Sequence, residues 1–140
     1  MPAATQFTIQ MQDRPGALGK VCRAIADRGI NIVAFQSYTQ PQGKSTVHLV
    51  TDNPATAKTV LENERLDFTE EEVVQAKVPN HVGALAQAAS RLGEANINIE
   101  YGYCGIDTSK NTPLLILRVA EVGKTVKLLD QAVAAAAGAT

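Results

Sequence analysis

The sequence predicts an α+β protein built from one unit of antiparallel strands and two helices, used twice. Three observations carry this. A turn-and-helix segment opens with Asp13-Arg14-Pro15-Gly16-Ala17-Leu18 and closes at Gly29-Ile30-Asn31-Ile32. It returns as Asn80-His81-Val82-Gly83-Ala84-Leu85, closing at Asn96-Ile97-Asn98-Ile99, at an offset of 67 residues (Gly16 to Gly83) with no gap. At the same offset, the alternation of Phe7, Ile9 and Met11 is matched by Val74, Ala76 and Val78. A repeat of this period fixes the architecture before any single element is read.

The chain has 140 residues, and the repeat divides it into two domains, 1–70 and 71–140. A unit of this size buries only part of its surface alone, so the halves are expected to pack on each other or on a second chain.

Residues 5–12 alternate apolar and polar, as a half-buried strand does. Asp13 to Gly16 turn the chain. The helix that follows sets Leu18, Val21, Cys22 and Ile25 on one stripe, and Gly29 suits the left-handed residue that stops it. The second copy repeats the stripe as Leu85, Ala88, Ala89 and Leu92, and Asn96 takes the stop position. Residues 30–39 and 44–52 read as two strands joined by the turn Gln40-Pro41-Gln42-Gly43.

Asp52 or Asn53 caps a second helix with Pro54 at its first position. Ala57, Val60 and Leu61 form its apolar side, and it runs out near Glu64 or Arg65. Residues 66–79 both close the first unit and open the second, with Phe68 to Glu72 as a candidate closing edge. No Gly/Ser linker intervenes, so the halves are expected to be tightly joined. Strands follow at 97–106 and 113–120, around a loop at Asp107 to Asn111 that is longer than its counterpart. Leu114 to Val119 is apolar almost throughout, as in a strand covered on both faces. The last helix starts near Val122 with Val126, Leu129 and Val133 on one side, and no strand follows it. Each unit thus reads as a ferredoxin-like split βαβ pattern, with helices on one face of an antiparallel sheet, and the second unit lacks a clear last strand.

Formal net charge is -1 and the 13 basic residues are scattered, which disfavours nucleic acid and a polybasic membrane anchor. No apolar run approaches the ~18 residues of a membrane span and no signal peptide is visible, so a cytoplasmic protein is expected. Cys22 and Cys104 do not form a disulfide framework, and Cys22 reads as a buried thiol.

His48 and His81 have no cysteine or carboxylate pair at a metal-ligand spacing, and no phosphate loop or nucleophile elbow occurs. No metal, cofactor or catalytic activity is expected. The turn-to-helix junctions are better candidates for chemistry. A helix start offers N–H groups without internal partners at the positive end of its dipole, and a carboxylate fits there. Gly16 and Gly83 leave room for it; one alone could equally just permit the turn, but two copies in register, each with an asparagine after the helix, favour binding. Asn31 and Asn98 interrupt apolar segments with amides that could hold an α-amino acid or satisfy backbone groups. Arg14 could reach an anion or be a solvated turn residue. Tyr101 and Tyr103 share a strand face, as a ligand wall or as packing.

These residues resemble the ACT domain signature. The first copy carries it as Asp13-Arg14-Pro15-Gly16-Ala17-Leu18 with Gly29-Ile30-Asn31-Ile32; in the second, Asn80-His81-Val82 replaces Asp-Arg-Pro. The resemblance spans nearly the whole chain as a tandem pair. It implies βαββαβ units that pair side by side through their sheets and bind a small molecule, usually an amino acid. Carried over by position, it implies ligand contacts at Arg14, Gly16, Ala17, Leu18 and Asn31, and at Gly83, Ala84, Leu85 and Asn98, with one site better than the other. The short second unit further suggests strands exchanged between halves or chains. With no catalytic domain beside them, the two units resemble a stand-alone sensor. The expected partners are an amino acid or similar small carboxylate, a second copy in a homodimer, and a regulated enzyme, with neither nucleic acid nor membrane. The alternative is a regulatory or assembly subunit of an amino-acid biosynthetic enzyme without ligand binding of its own.

Overall fold

The computed structural model describes residues 3–107 and 112–138, with side chains as far as Asp130. Loop residues 108–111 and the side chain of Val133 lie outside the described residues. In chain order the elements are β1 (Ala3–Gln12), α1 (Ala17–Ala26), β2 (Ile32–Gln40), β3 (Lys44–Thr51), α2 (Pro54–Asn63), β4 (Asp67–Lys77), α3 (Ala84–Glu94), β5 (Ile99–Asp107), β6 (Thr112–Val119) and α4 (Val122–Gly138). This is the βαββα order expected twice over. The described chain divides into two compact units, Thr5–Glu71 and the residues from Glu72 onward together with residues 3–4. The stretch 66–79 resolves into one strand, β4, whose first five residues belong to the first unit and whose remainder opens the second.

In the first unit β3 is the central strand, antiparallel to both neighbours. Phe7 faces Leu49 and Ile9 faces Val47 across one ladder, and Ser37 faces Val47 across the other. Phe7, Ile9, Met11, Val47 and Leu49 lie on the face that α1 and α2 cover, packed with Val21, Ile25, Ala57, Val60 and Leu61. Phe68 completes this core edge-on to Phe7, with ring centroids 5.9 Å apart. The opposite face carries Gln6, Thr8, Thr46 and His48. Of these, Gln6, Thr46 and His48 are buried.

The second unit repeats the plan with β6 central, between β4 and β5. Val74, Ala76, Leu115, Leu117 and Val119 form its helix-covered core with Leu92 and Leu129. Leu114 and Ile116, on the other face, are buried as well, so β6 is apolar on both sides as its composition predicts.

The repeat extends to irregularities. Each second strand carries a bulge at the same place, between Ile32 and Ala34 and between Ile99 and Tyr101. Helix endings recur too. Gly29 N–H donates to Ala26 O (2.9 Å) and Ile30 N–H to Ile25 O (3.4 Å), the two bonds of a Schellman stop, with Gly29 at φ 71. Asn96 and Ile97 make the same pair of bonds to Gly93 and Leu92, with Asn96 at φ 59. A third stop ends α2, where Arg65 takes φ 56 and Leu66 N–H reaches Leu61 O at 3.2 Å.

One alternative resolves and two expectations need adjustment. Asn53 rather than Asp52 caps α2: its Oδ1 accepts from Thr56 N–H at 3.2 Å. In α3 Ala84 and Leu92 are buried and Ala88 is partly buried, whereas Leu85 is 60% exposed and Ala89 is exposed too. Both stripes fit a 3.6-residue period. The small Ala84 and Ala88 face the core and turn Leu85 outward. Cys22 is half-buried rather than buried, and burial raises its thiol pKa.

Candidate functional site

The turn before α1 is built by main-chain bonds. Asp13 N–H donates to Gly43 O at 2.8 Å, tying the turn to the β2–β3 connection, and Ala17 N–H donates to Arg14 O at 3.2 Å. Gly16 then enters the helix at φ 88, where an L side chain is strained. A Cβ there would meet nothing within 4 Å, so backbone conformation rather than lack of space calls for glycine. No side chain caps α1, and its first turn contains no acidic residue. The positive end of the helix is therefore left open.

A cavity of about 190 Å³ opens at this turn. Gln12, Asp13 and Arg14 form one side, with Ala17 and Leu18 of α1. Ser37, Tyr38 and Thr39 of β2 and Ser45 and Val47 of β3 form the other. Ser37, Thr39, Ser45 and Val47 share the helix-covered side of the sheet, where apolar core gives way to hydroxyls toward the strand ends. Among the described residues, neither Asp13 nor Arg14 makes an ion pair or a side-chain hydrogen bond. The lining residues thus carry one carboxylate, one guanidinium, one amide and four hydroxyls, of which that of Tyr38 is taken up by His48.

Of the residues singled out in the first unit, Arg14, Ala17 and Leu18 line this cavity, whereas Gly16 is not among its lining and sets the entry to α1. Asn31 does not reach it. It lies past the other end of α1, about 15 Å away along a ten-residue helix. There its main chain pairs with Asp52, and its side chain is in an exposed position. Sequence reading passed over Ser37, Thr39 and Ser45, because hydroxyls alternating on a strand read as an ordinary solvated face.

Behind Tyr38 lies a polar cluster. The Tyr38 hydroxyl stands 3.5 Å from His48 Nε2. Gln6 Nε2 and Thr8 Oγ1 each lie 3.1 Å from His48 Nδ1. An amide nitrogen only donates, so Nδ1 accepts and the ring proton sits on Nε2. Burial lowers the His48 pKa, and the Glu71 charge opposes this in part.

In the second unit Gly83 repeats the turn at φ 88, again without a side-chain cap. Its surroundings differ. By the 67-residue repeat, Asn80 and His81 stand where Asp13 and Arg14 do; by the strand registers, Cys104 and Ile106 stand where Ser37 and Thr39 do, and Pro113 where Ser45 does. His81 Nδ1 lies 3.1 Å from Val82 O. Val82, Leu85 and Ile106 are exposed at this end of the unit. Ala84 is buried, and Asn98 is exposed beyond the other end of α3. Among the described residues, no group of three or more His, Cys, Asp or Glu side chains could hold a metal, and no helix is long and apolar enough to cross a membrane.

Comparison with known proteins bears on the fold. Residues 5–66 match the ACT domain family. The ACT domain-containing protein ACR3 of Arabidopsis thaliana is 39% identical over 69 residues, which is 49% of this chain. The match covers 15% of that plant protein's length. Protein BT0572 of Bacteroides thetaiotaomicron has a similar fold, with a TM-score of 0.81 at 23% identity over 92% of this chain and 88% of that one. The regulatory subunit of aspartate kinase from Thermus thermophilus, in its ligand-free form, gives 0.62 at 18% identity over 92% and 91%.

Proposed function

From a chain with an ACT domain at residues 5–66 and a second ferredoxin-like unit of the ACT type behind it, we propose a regulatory protein that binds an amino acid and acts on a partner protein. The cavity at the Asp13–Leu18 turn carries the proposal. An α-carboxylate sits against the open start of α1 and the Arg14 guanidinium, and an α-ammonium pairs with Asp13. Binding becomes regulation only if two states of the protein differ in affinity for the ligand.

The proposal places the protein in the cytoplasm, as a homodimer without catalytic activity of its own. Its partner is an enzyme of amino-acid biosynthesis. Likeness in fold to an aspartate kinase regulatory subunit supports that last element by analogy of architecture. The exposed Val82, Leu85 and Ile106 favour a second reading, an assembly subunit whose second unit docks on an enzyme.

A thermal-shift screen against the twenty amino acids tests the first reading. A ligand that binds only the folded state adds about 2.7 kcal/mol at a hundredfold excess over Kd. The expected result is a rise in Tm with a few amino acids, lost in Arg14→Ala. A flat screen at millimolar concentrations refutes amino-acid sensing and leaves the assembly reading.

A further inference from the structure

We infer that the first unit's cavity selects a neutral amino acid with a short hydroxyl or amide side chain, and that the described residues of the second unit offer no matching site. This rests on the reading that the cavity binds an amino acid, and it names the class.

Charge decides the first half. The lining holds one carboxylate, Asp13, and one guanidinium, Arg14. Neither has an ion-pair partner among the described residues. The two main-chain charges of an amino acid use both. A third charge, as on lysine or aspartate, would find no opposite charge left in the lining and would lose hydration on entry.

Polarity decides the second half. Opposite Ala17 and Leu18, and beyond Val47, the strand wall is Tyr38 with Ser37, Thr39 and Ser45, the last three being hydroxyls on one face of two paired strands. An aliphatic side chain laid against them would strip their water without replacing it. A hydroxyl or amide can donate and accept in return. A site built to hydrogen-bond a substrate group discriminates strongly against the isostere that lacks it.

The duplicated unit supplies an internal contrast. At the matching positions it has Asn80 and His81 in place of the charged pair, and Cys104, Ile106 and Pro113 in place of the three hydroxyls. The backbone of the turn is repeated, but the chemistry that would read this ligand is not.

Isothermal titration of the full chain tests this with glycine, serine, threonine, asparagine, valine, leucine, phenylalanine, lysine and aspartate. The expected result is that serine, threonine or asparagine binds best, one per chain, and that threonine exceeds its isostere valine by about tenfold or more. Ser37→Ala combined with Thr39→Val should reduce that preference to within about threefold while leaving Tm unchanged without ligand. Best binding by leucine, phenylalanine, lysine or aspartate, or two equal sites per chain, overturns this inference but leaves amino-acid sensing intact. No binding by any of the nine overturns both.

Discussion

Asn31 and Asp52 are clasped by two bonds of equal length: Asn31 N–H donates to Asp52 Oδ1 at 3.0 Å, and Asp52 N–H donates to Asn31 O at 3.0 Å. The clasp joins the start of β2 to the end of β3. It uses the carboxylate of Asp52 and only the main chain of Asn31. Asp52→Ala should therefore cost about 1 kcal/mol in urea unfolding. Asn31→Ala should stay within about 0.5 kcal/mol, and it should leave affinity at the turn cavity unchanged. A loss of affinity in Asn31→Ala would move the ligand away from the cavity.

Arg65 stops α2 in a left-handed conformation that glycine takes at Gly29. A side chain in that region costs roughly 1–2 kcal/mol, and glycine gives part of this back through a more flexible unfolded chain. Arg65→Gly is expected to stabilise the protein by about 0.5 kcal/mol. Paired denaturation curves with unchanged m-values would show it.

Gly16→Ala separates strain from space. A Cβ at this position finds nothing within 4 Å, so no clash follows, but φ 88 disfavours any L residue. The expected cost is about 1 kcal/mol. Affinity should fall further, because the turn that aims Asp13 and Arg14 relaxes with it. Titration of the variant at a temperature well below its Tm checks the second part.

His48 makes stability depend on pH. Its folded pKa lies below the usual 6.5, first because burial penalises the charged ring. Above the unfolded value the ring is neutral in both states, and its contribution to stability is fully present. As pH falls below about 6.5, the unfolded chain takes up a proton that the folded chain refuses, and stability drops until the folded pKa is passed. The expected outcome is a decline in unfolding free energy from pH 7 toward pH 5 that is reduced in His48→Gln. An identical slope in the variant would assign the decline to other groups.

Much of the backbone could be read from the sequence because the chain states it twice. Gly16 and Gly83, or Gly29 and Asn96, are informative as pairs where either alone is ambiguous. Side-chain direction was harder. The repeat sets Leu85 on the stripe at the position of Leu18, yet Ala84 is buried and Leu85 is exposed. The cavity's second wall comes from strands some twenty to thirty residues after the turn, and nothing local links Ser37 or Ser45 to Arg14. The His48 cluster was equally silent, since Gln6 and Thr8 meet it only through the β1–β3 register.

The bulge between Ile32 and Ala34 sets the parity of everything after it on β2. Ile32 packs against the helix-covered core. In a regular strand from Ile32, positions 36 and 38 would share its face, and Ser37 and Thr39 would turn away. The one extra residue, Val33, reverses this and hands the hydroxyls to the cavity. Deleting Val33 would force the chain to choose between seating Ile32 in the core and keeping Ser37 and Thr39 at the turn. The chemistry of the cavity is in this sense written at the opposite end of its strand, by a residue that never touches what the cavity holds.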